Sequence, residues 1–351
     1  MINTKYKLSQ KLLKNISSIE RLYGQLESQV IPKELFLNLE KHNLVKSSFS
    51  SNSIEGNPLS QEEVTNLILG GRVPANRDEK EVRNYFDILK QIGKEYSNLD
   101  IDTILGIHKQ LLQGVENQIG GEIRDSKVVV GNPSQDGNII IKHEPPKHSK
   151  EEITKLLEEL IAWSNTSEEL AILKAGIYHH EFVYIHPFVD GNGRTCRLTT
   201  TLLLDKLGYK INKYFILDDY YDIDRIQYSD LLHSADSGDK TEWLEYFTDG
   251  VKYSLQSALA KIEEGLKNIS FDMRPTNREK DVLELIKRYK EITSSDVSKD
   301  LNISRQQAFN LLDGLVSKGY LEKQGSTKNS FYTLKTECYS ITPPPTTYSL
   351  S

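Results

Sequence analysis

The sequence predicts a mainly α-helical protein with two small β excursions. Apolar residues recur at three- and four-residue spacing through most of the chain, the mark of helices with one buried face. The period shortens only around 128–141, where two β-branched runs flank a Pro- and Gly-containing loop. Past residue 276 three helical segments are followed by two strand-like runs, a compact unit of a different kind.

From Ser9 to about Val30, Leu12, Leu13, Ile16, Ile19, Leu22, Tyr23 and Leu26 mark a helix with Ser9 as its cap. Pro32 restarts the chain into a shorter helix that the pattern carries to Ser48. A Ser/Asn-rich stretch, 47–53, and Ile54-Glu55-Gly56-Asn57-Pro58 come next. Helices are expected over 60–69, 79–96 and 102–112. Val128-Val129-Val130 and Ile139-Ile140-Ile141 read as a hairpin, stopped by Pro145-Pro146. Helical periodicity resumes over 149–163, 170–184 and 192–207, the last closed by Gly208, then over 224–235 and 240–268. A linker is expected at 269–275, helices at 279–289, 293–301 and 304–318, and strands at 319–323 and 330–334 around Gly325. The Pro/Thr-rich tail, 336–351, reads as disordered.

At roughly 100–200 residues per domain, 351 residues suggest two or three domains. Lys and Arg total 44 against 50 Asp and Glu, and a net charge of −6 argues against a surface built to coat nucleic acid. An apolar content of 37% supplies a sizeable core, and 27% charged residues a soluble surface. Two cysteines, Cys196 and Cys338, cannot form a disulfide framework or a four-cysteine metal site, and suit a reducing compartment. No apolar run approaches the ~20 residues of a membrane span, and no apolar run follows the N-terminal charges as in a signal peptide. The expectation is a cytoplasmic protein.

Chemistry concentrates in Ile185-His186-Pro187-Phe188-Val189-Asp190-Gly191-Asn192-Gly193-Arg194-Thr195-Cys196-Arg197, a loop running into a helix N-terminus. Gly191-Asn192-Gly193 lets backbone approach a ligand closely with free N–H groups pointing outward, the recipe for an anion hole. Arg194 and Arg197, three apart, fall on one helix face where two guanidiniums can clamp phosphate oxygens. Asp190 is a hard oxygen ligand suited to Mg²⁺, and His186 can take a proton at neutral pH. Together these groups describe transfer of a phosphate-containing group. No Walker A loop is present, and Tyr184 at the second histidine position breaks the zinc spacing that His180-Glu181 would begin.

His-Pro-Phe-x-Asp-Gly-Asn-Gly-Arg-x-x-Arg resembles the signature of the Fic family, whose members mostly move AMP from ATP onto protein hydroxyls. The resemblance implies a Fic-type helical core over 61–268 with the hairpin as its flap. It implies that His186 deprotonates a target Ser, Thr or Tyr hydroxyl, that Asp190 holds Mg²⁺, and that Gly191, Asn192, Gly193, Arg194, Thr195, Cys196 and Arg197 form the ATP-binding segment. Cys196, at an unspecified position, reads as a packed side chain rather than a nucleophile. Gly193 stands where the phosphate-transferring branch has Lys, favouring AMP transfer. By the same resemblance Val130 and Gly131 of the flap touch the nucleotide. The Tyr228 and Asp236 stretches are similar to those near adenine and ribose, with Ser229 and Asp236 departing from the family pattern.

Ser51-Asn52-Ser53-Ile54-Glu55-Gly56 is similar to the family's inhibitory pattern and lies in the N-terminal region, 1–60. The resemblance implies that Glu55 pairs with Arg197 and keeps it from the γ-phosphate, with Ser51 and Gly56 completing the motif and Glu55 bordering the ATP site. The same carboxylate can instead orient a water that removes AMP from a target. Residues 276–335 have the element order of a winged helix, with Arg305, Gln306, Gln307 and Asn310 available to base edges. From 277 to 334 there are 10 Lys and Arg against 8 Asp and Glu, a weak electrostatic footprint. Two functions of different class follow: an adenylyltransferase whose winged helix docks targets, DNA or a second subunit, or a DNA-binding regulator with an auxiliary Fic core. Relatives of this layout often form homodimers.

Overall fold

The computed structural model describes residues 2–133, 139–211, 213–268, 273–325 and 330–335; for 132, 133, 139 and 140 it describes the backbone only. The tail 336–351 and most of the expected linker lie outside the described residues. The chain divides into two compact units. One comprises 1–20 and 42–254, the other 21–41 and 255–351, so the boundaries fall inside helices α1 (Gln10–Ser28), α2 (Lys33–Ile54) and α11 (Thr241–Asn268). No helix among the described residues is long and apolar enough to cross a membrane.

The first unit is built around α7 (Ala171–Ile185) and α8 (Asn192–Lys206), which pack on each other. Nearly every residue of both is buried, as expected for helices without a polar face. Around them lie α3 (Gln61–Leu69), α4 (Arg77–Gln91), α5 (Ile101–Leu111) and α6 (Lys150–Thr166). Each of these four starts on a side-chain cap, from Ser60, Asn76, Asp100 and Ser149. Gly176 lets α11 approach α7 closely, because a Cβ there would collide with Leu244 and Phe247, and Trp243 Nε1 donates to Gly176 O at 2.8 Å. The hairpin pairs β1 (Val130–Pro133) with β2 (Ile139–His143) antiparallel, with an irregularity between Val130 and Gly131.

Several elements depart from the expected pattern. The helix expected to stop at Ser48 runs through the serine-rich stretch to Ile54. Ser48 Oγ donates back to Leu44 O at 2.7 Å and Asn52 Nδ2 to Ser48 O at 2.8 Å, while Ser47 Oγ donates to Asp218. Serine hydroxyls compete with the backbone when solvated, but here those of Ser47, Ser48 and Ser51 are buried and hydrogen-bonded, so the helix persists. α4 ends at Gln91 rather than continuing to Tyr96, with Gly93 in the left-handed region at φ 76°. Two elements are unforeseen: α9 (Asp218–Ile223), preceding α10 (Arg225–Ser234), and β3 (Glu291–Ile292).

In the second unit, α12 (Asn277–Tyr289), α13 (Ser294–Asp300) and α14 (Arg305–Ser317) accompany an antiparallel sheet ordered β3-β5-β4, with β4 at Leu321–Gln324 and β5 at Phe331–Leu334. Its core includes Val282, Ile286, Val297, Leu312, Leu315 and Tyr332.

Candidate active site at the start of helix α8

The site begins where α7 ends. His186 is the C-cap of α7 in the left-handed region (φ 50°, ψ 64°), an uncommon conformation for a residue with a side chain. Arg124 holds it there: its backbone N–H donates to Pro187 O at 3.0 Å and its Nε to His186 O at 2.7 Å. The His186 ring places Nδ1 at 3.2 Å from Val183 O, so Nδ1 carries the hydrogen and Nε2 keeps its lone pair. Burial, reinforced by His143 and Arg124, pushes this imidazole down to about 4. It is therefore a neutral base at physiological pH.

The loop from 187 to 191 is held by two further side chains. Asn192 accepts from Phe188 N at 2.9 Å and donates to Phe188 O at 2.8 Å, closing the turn as a backbone pair would. His108 stacks on Phe188 at 3.6 Å and accepts from Gly121 N on Nδ1, which leaves Nε2–H to donate to Asp190 O at 3.0 Å. Gly191 has φ 75°, which favours glycine, and it is the N-cap of α8. No side chain caps this helix, so its first N–H groups and the positive end of its dipole face the site.

Glu55 reaches that end. α2 ends just before it, and Gly56, at φ 86°, provides the left-handed turn. Its Oε1 accepts from Arg197 Nη2 at 2.7 Å and lies where a Cβ on Gly193 would fall. Arg197 is held from the other side as well: Nε donates to Ser51 Oγ at 2.7 Å, Nη2 to Ser51 O at 2.9 Å, and Asp218 Oδ1 stands at 3.6 Å. Burial opposes the charge on Arg197, but Glu55, Tyr228, Tyr85 and Asp218 outweigh it and the guanidinium titrates above its usual range. The two carboxylate partners differ in accessibility, since the Glu55 side chain is 37% exposed and that of Asp218 only 6%.

The expected two-arginine clamp is not paired in this way. Arg194 faces Glu81 at 3.2 Å and Asp190 at 3.6 Å, and its Nε and Nη1 are buried without a hydrogen bond. Asp190 Oδ1 accepts from Gly191 N at 2.6 Å, while its half-exposed carboxylate leaves donor capacity for a hard cation such as Mg²⁺. The side chains of Thr195 and Cys196 are buried, and Cys196 Sγ lies 3.2 Å from His179 O, so neither reaches an open site. Tyr228 is also spent internally: its hydroxyl bonds His179 Nε2 at 2.9 Å and its ring stacks on Tyr221. Asp236 is engaged by His143 at 2.7 Å and His180 at 2.9 Å. Val130 and Gly131 begin the hairpin strand opposite His143 and Ile141.

Arg124, His108, Ser47 and Asp218 escaped the sequence reading. Their local cues are weak: His108 and Ser47 sit within helical periodicity, Arg124 follows Gly120-Gly121 by three residues, and Asp218-Asp219 is a doublet at a helix start.

Residues 98–204, which include this loop and most of α8, match the Fic/DOC family. Protein adenylyltransferase fic-1 of Caenorhabditis elegans is 27% identical over 250 residues, covering 67% of this chain and 45% of that protein. Protein adenylyltransferase Fic of Aedes aegypti is 30% identical over 229 residues, covering 62% and 42%. The chain thus spans about half the length of the curated relatives it matches. The fold is also that of a Fic family protein from Desulfovibrio desulfuricans G20, with a TM-score of 0.65 and 24% identity over 94% of this chain and 97% of that one. Fic-1 of C. elegans superposes with a TM-score of 0.59 at 23% identity, covering 72% and 73%.

Proposed function

We propose that the protein transfers AMP from ATP to Ser, Thr or Tyr hydroxyls of target proteins and of itself, and that Glu55 restrains it. The observation that carries this is the Glu55 carboxylate seated between Gly193 and Arg197 at an uncapped helix N-terminus. A carboxylate there stands in for a phosphate oxygen, since both accept from the same guanidinium beside the same helix end. His186 Nε2 takes the proton of the hydroxyl, the hydroxyl oxygen bonds to the α-phosphorus, and the bond from that phosphorus to the bridging oxygen breaks as diphosphate leaves. Gly191, Asn192 and Gly193 present backbone to the phosphates; Arg194, whose buried Nε has no hydrogen bond, and Arg197 take their charge. Asp190 would hold Mg²⁺, which neutralises charge on the phosphates.

The relatives' names support adenylyl transfer. The hairpin, whose Ile141 is exposed, suits docking of a target segment by strand addition. Labelling with ATP carrying the isotope on the α- or the γ-phosphorus tests the reading, using wild type beside Glu55→Gly. Retention of the α-label alone is expected; retention of γ-label, or of neither in the variant, overturns it. Because Glu55 is accessible, it also suits orienting a water for removal of AMP, and loss of label from a pre-labelled target would show that activity.

The C-terminal unit has the makings of a winged helix that docks a partner, whether a target protein, a second copy or duplex DNA. Its third helix is less free for base reading than its sequence suggests. Gln307 accepts from Ser304 N at 3.0 Å, and Gln306 donates to Asn310 at 3.0 Å.

A further inference from the structure

We propose that His143, His233 and Asp236 form a binding site for a borderline divalent cation of the Zn²⁺ class, placed between the hairpin and the helical core. One ligand atom from each of the three lies within 4.8 Å of the others. His143 Nδ1 stands 2.7 Å and His233 Nδ1 3.4 Å from the same oxygen, Asp236 Oδ2. Two imidazoles and one carboxylate are a donor set that such a cation takes readily, at metal–ligand distances of about 2.0–2.2 Å.

Hydrogen bonds from outside the cluster orient two of the three groups, His143 and Asp236. His143 Nε2 faces Tyr184 O at 2.9 Å, which places a hydrogen on Nε2 and turns Nδ1 toward Asp236 Oδ2, the atom left to bind a cation once its proton is displaced. The other oxygen of Asp236 accepts from His180 Nε2–H at 2.9 Å, since His180 Nδ1 already accepts from Lys240 at 2.8 Å. The carboxylate is thereby oriented with Oδ2 toward the two imidazoles. Both nitrogens of His143 face oxygens, Nδ1 that of Asp236 and Nε2 that of Tyr184. The cation takes the place of the Nδ1 proton, and that proton leaves to solvent. His143 is buried, whereas His233 and Asp236 are partly exposed, giving an entry path and room for a water as fourth ligand.

His143 ends strand β2, His233 lies in the last turn of α10, and Asp236 lies in the 3₁₀ turn Ala235–Ser237 that follows it. A bound cation ties the hairpin base to the core beside His186, whose ring is 6.3 Å from that of His143. On the adenylyl-transfer reading above, this fixes where a target strand docks; cation binding itself does not depend on that reading.

Titration of the full chain with Co²⁺, followed by visible absorption, tests the site without recourse to activity. One equivalent of Co²⁺ should give intense four-coordinate bands that Zn²⁺ displaces. His233→Gln and His143→Gln should each weaken uptake at least about tenfold, and His180→Gln about ten- to hundredfold, with helical circular dichroism unchanged. Asp190→Ala should retain the bands. Failure of wild type to bind Co²⁺, a weak six-coordinate spectrum, bands that survive His233→Gln, or bands lost in Asp190→Ala would each overturn the proposal.

Discussion

Helix α8 and the helices of the C-terminal unit start in opposite ways. In the C-terminal unit α12, α13 and α14 each begin with a complete capping box, Thr276 with Glu279, Thr293 with Asp296 and Ser304 with Gln307. Every such box spends two side chains on the orphan N–H groups of its own helix. α8 begins with Gly191 and no side-chain cap, and the carboxylate beside it comes from Glu55, on a separate segment. A capped end is closed to ligands and stabilises the helix locally; an uncapped end keeps its donors for a group that can leave. The difference separates a scaffold from a site.

Four experiments break or sharpen this contrast. The largest effect is expected from His186→Ala, which should lower ATP-dependent self-labelling by roughly 10²–10⁴-fold, the usual contribution of a general base. Labelling within tenfold of wild type would show that the uncapped end is not a reaction centre. Glu55→Gly follows: losing a charge-assisted bond worth about 1.5–3 kcal/mol should raise labelling by about ten- to a hundredfold. Arg197 remains held by Ser51 and Asp218 in that variant, so a fall in labelling would refute the brake.

Acidity probes the histidines that support the loop. His186 and His108 are both held at about 4, chiefly by burial, against about 6.5 in an unfolded chain. Each then contributes stability that is fully present above pH ~6.5 and drains as pH falls toward 4, on the order of 2–3 kcal/mol. The melting temperature should drop over that window, and His108→Gln should flatten the drop; an identical pH slope in the variant would contradict the assignment. The smallest effect belongs to a capped end: Ser304→Ala should cost about 1 kcal/mol of stability with labelling unchanged. A change in labelling would blur the distinction between the two kinds of helix start.

The reach of sequence reading follows the same line. Capping serines, the glycine turn and the run from His186 to Arg197 are local patterns, and the helices they mark begin within one or two residues of expectation. The hairpin was legible from its β-branched runs, whereas α9 and the two-residue β3 carry too little periodicity to announce themselves. The serine-rich segment misleads because hydroxyls favour turns when solvated. Its helix exists because Asp218, distant in the chain, accepts from the Ser47 hydroxyl and Arg197, also distant, donates to that of Ser51.

By itself, then, the order of residues marked the candidate groups, a histidine, an aspartate, two arginines and a glycine turn, all within thirteen positions, where chain connectivity alone ensures proximity. Tertiary structure decided their state. It buried His186 and so kept it neutral, set Arg197 between an accessible Glu55 and an enclosed Asp218, left Arg194 Nε without a hydrogen bond, and gathered His143, His233 and Asp236 from three elements. Such states depend on solvent exclusion and on partners far away in sequence, and neither is encoded by spacing along the chain.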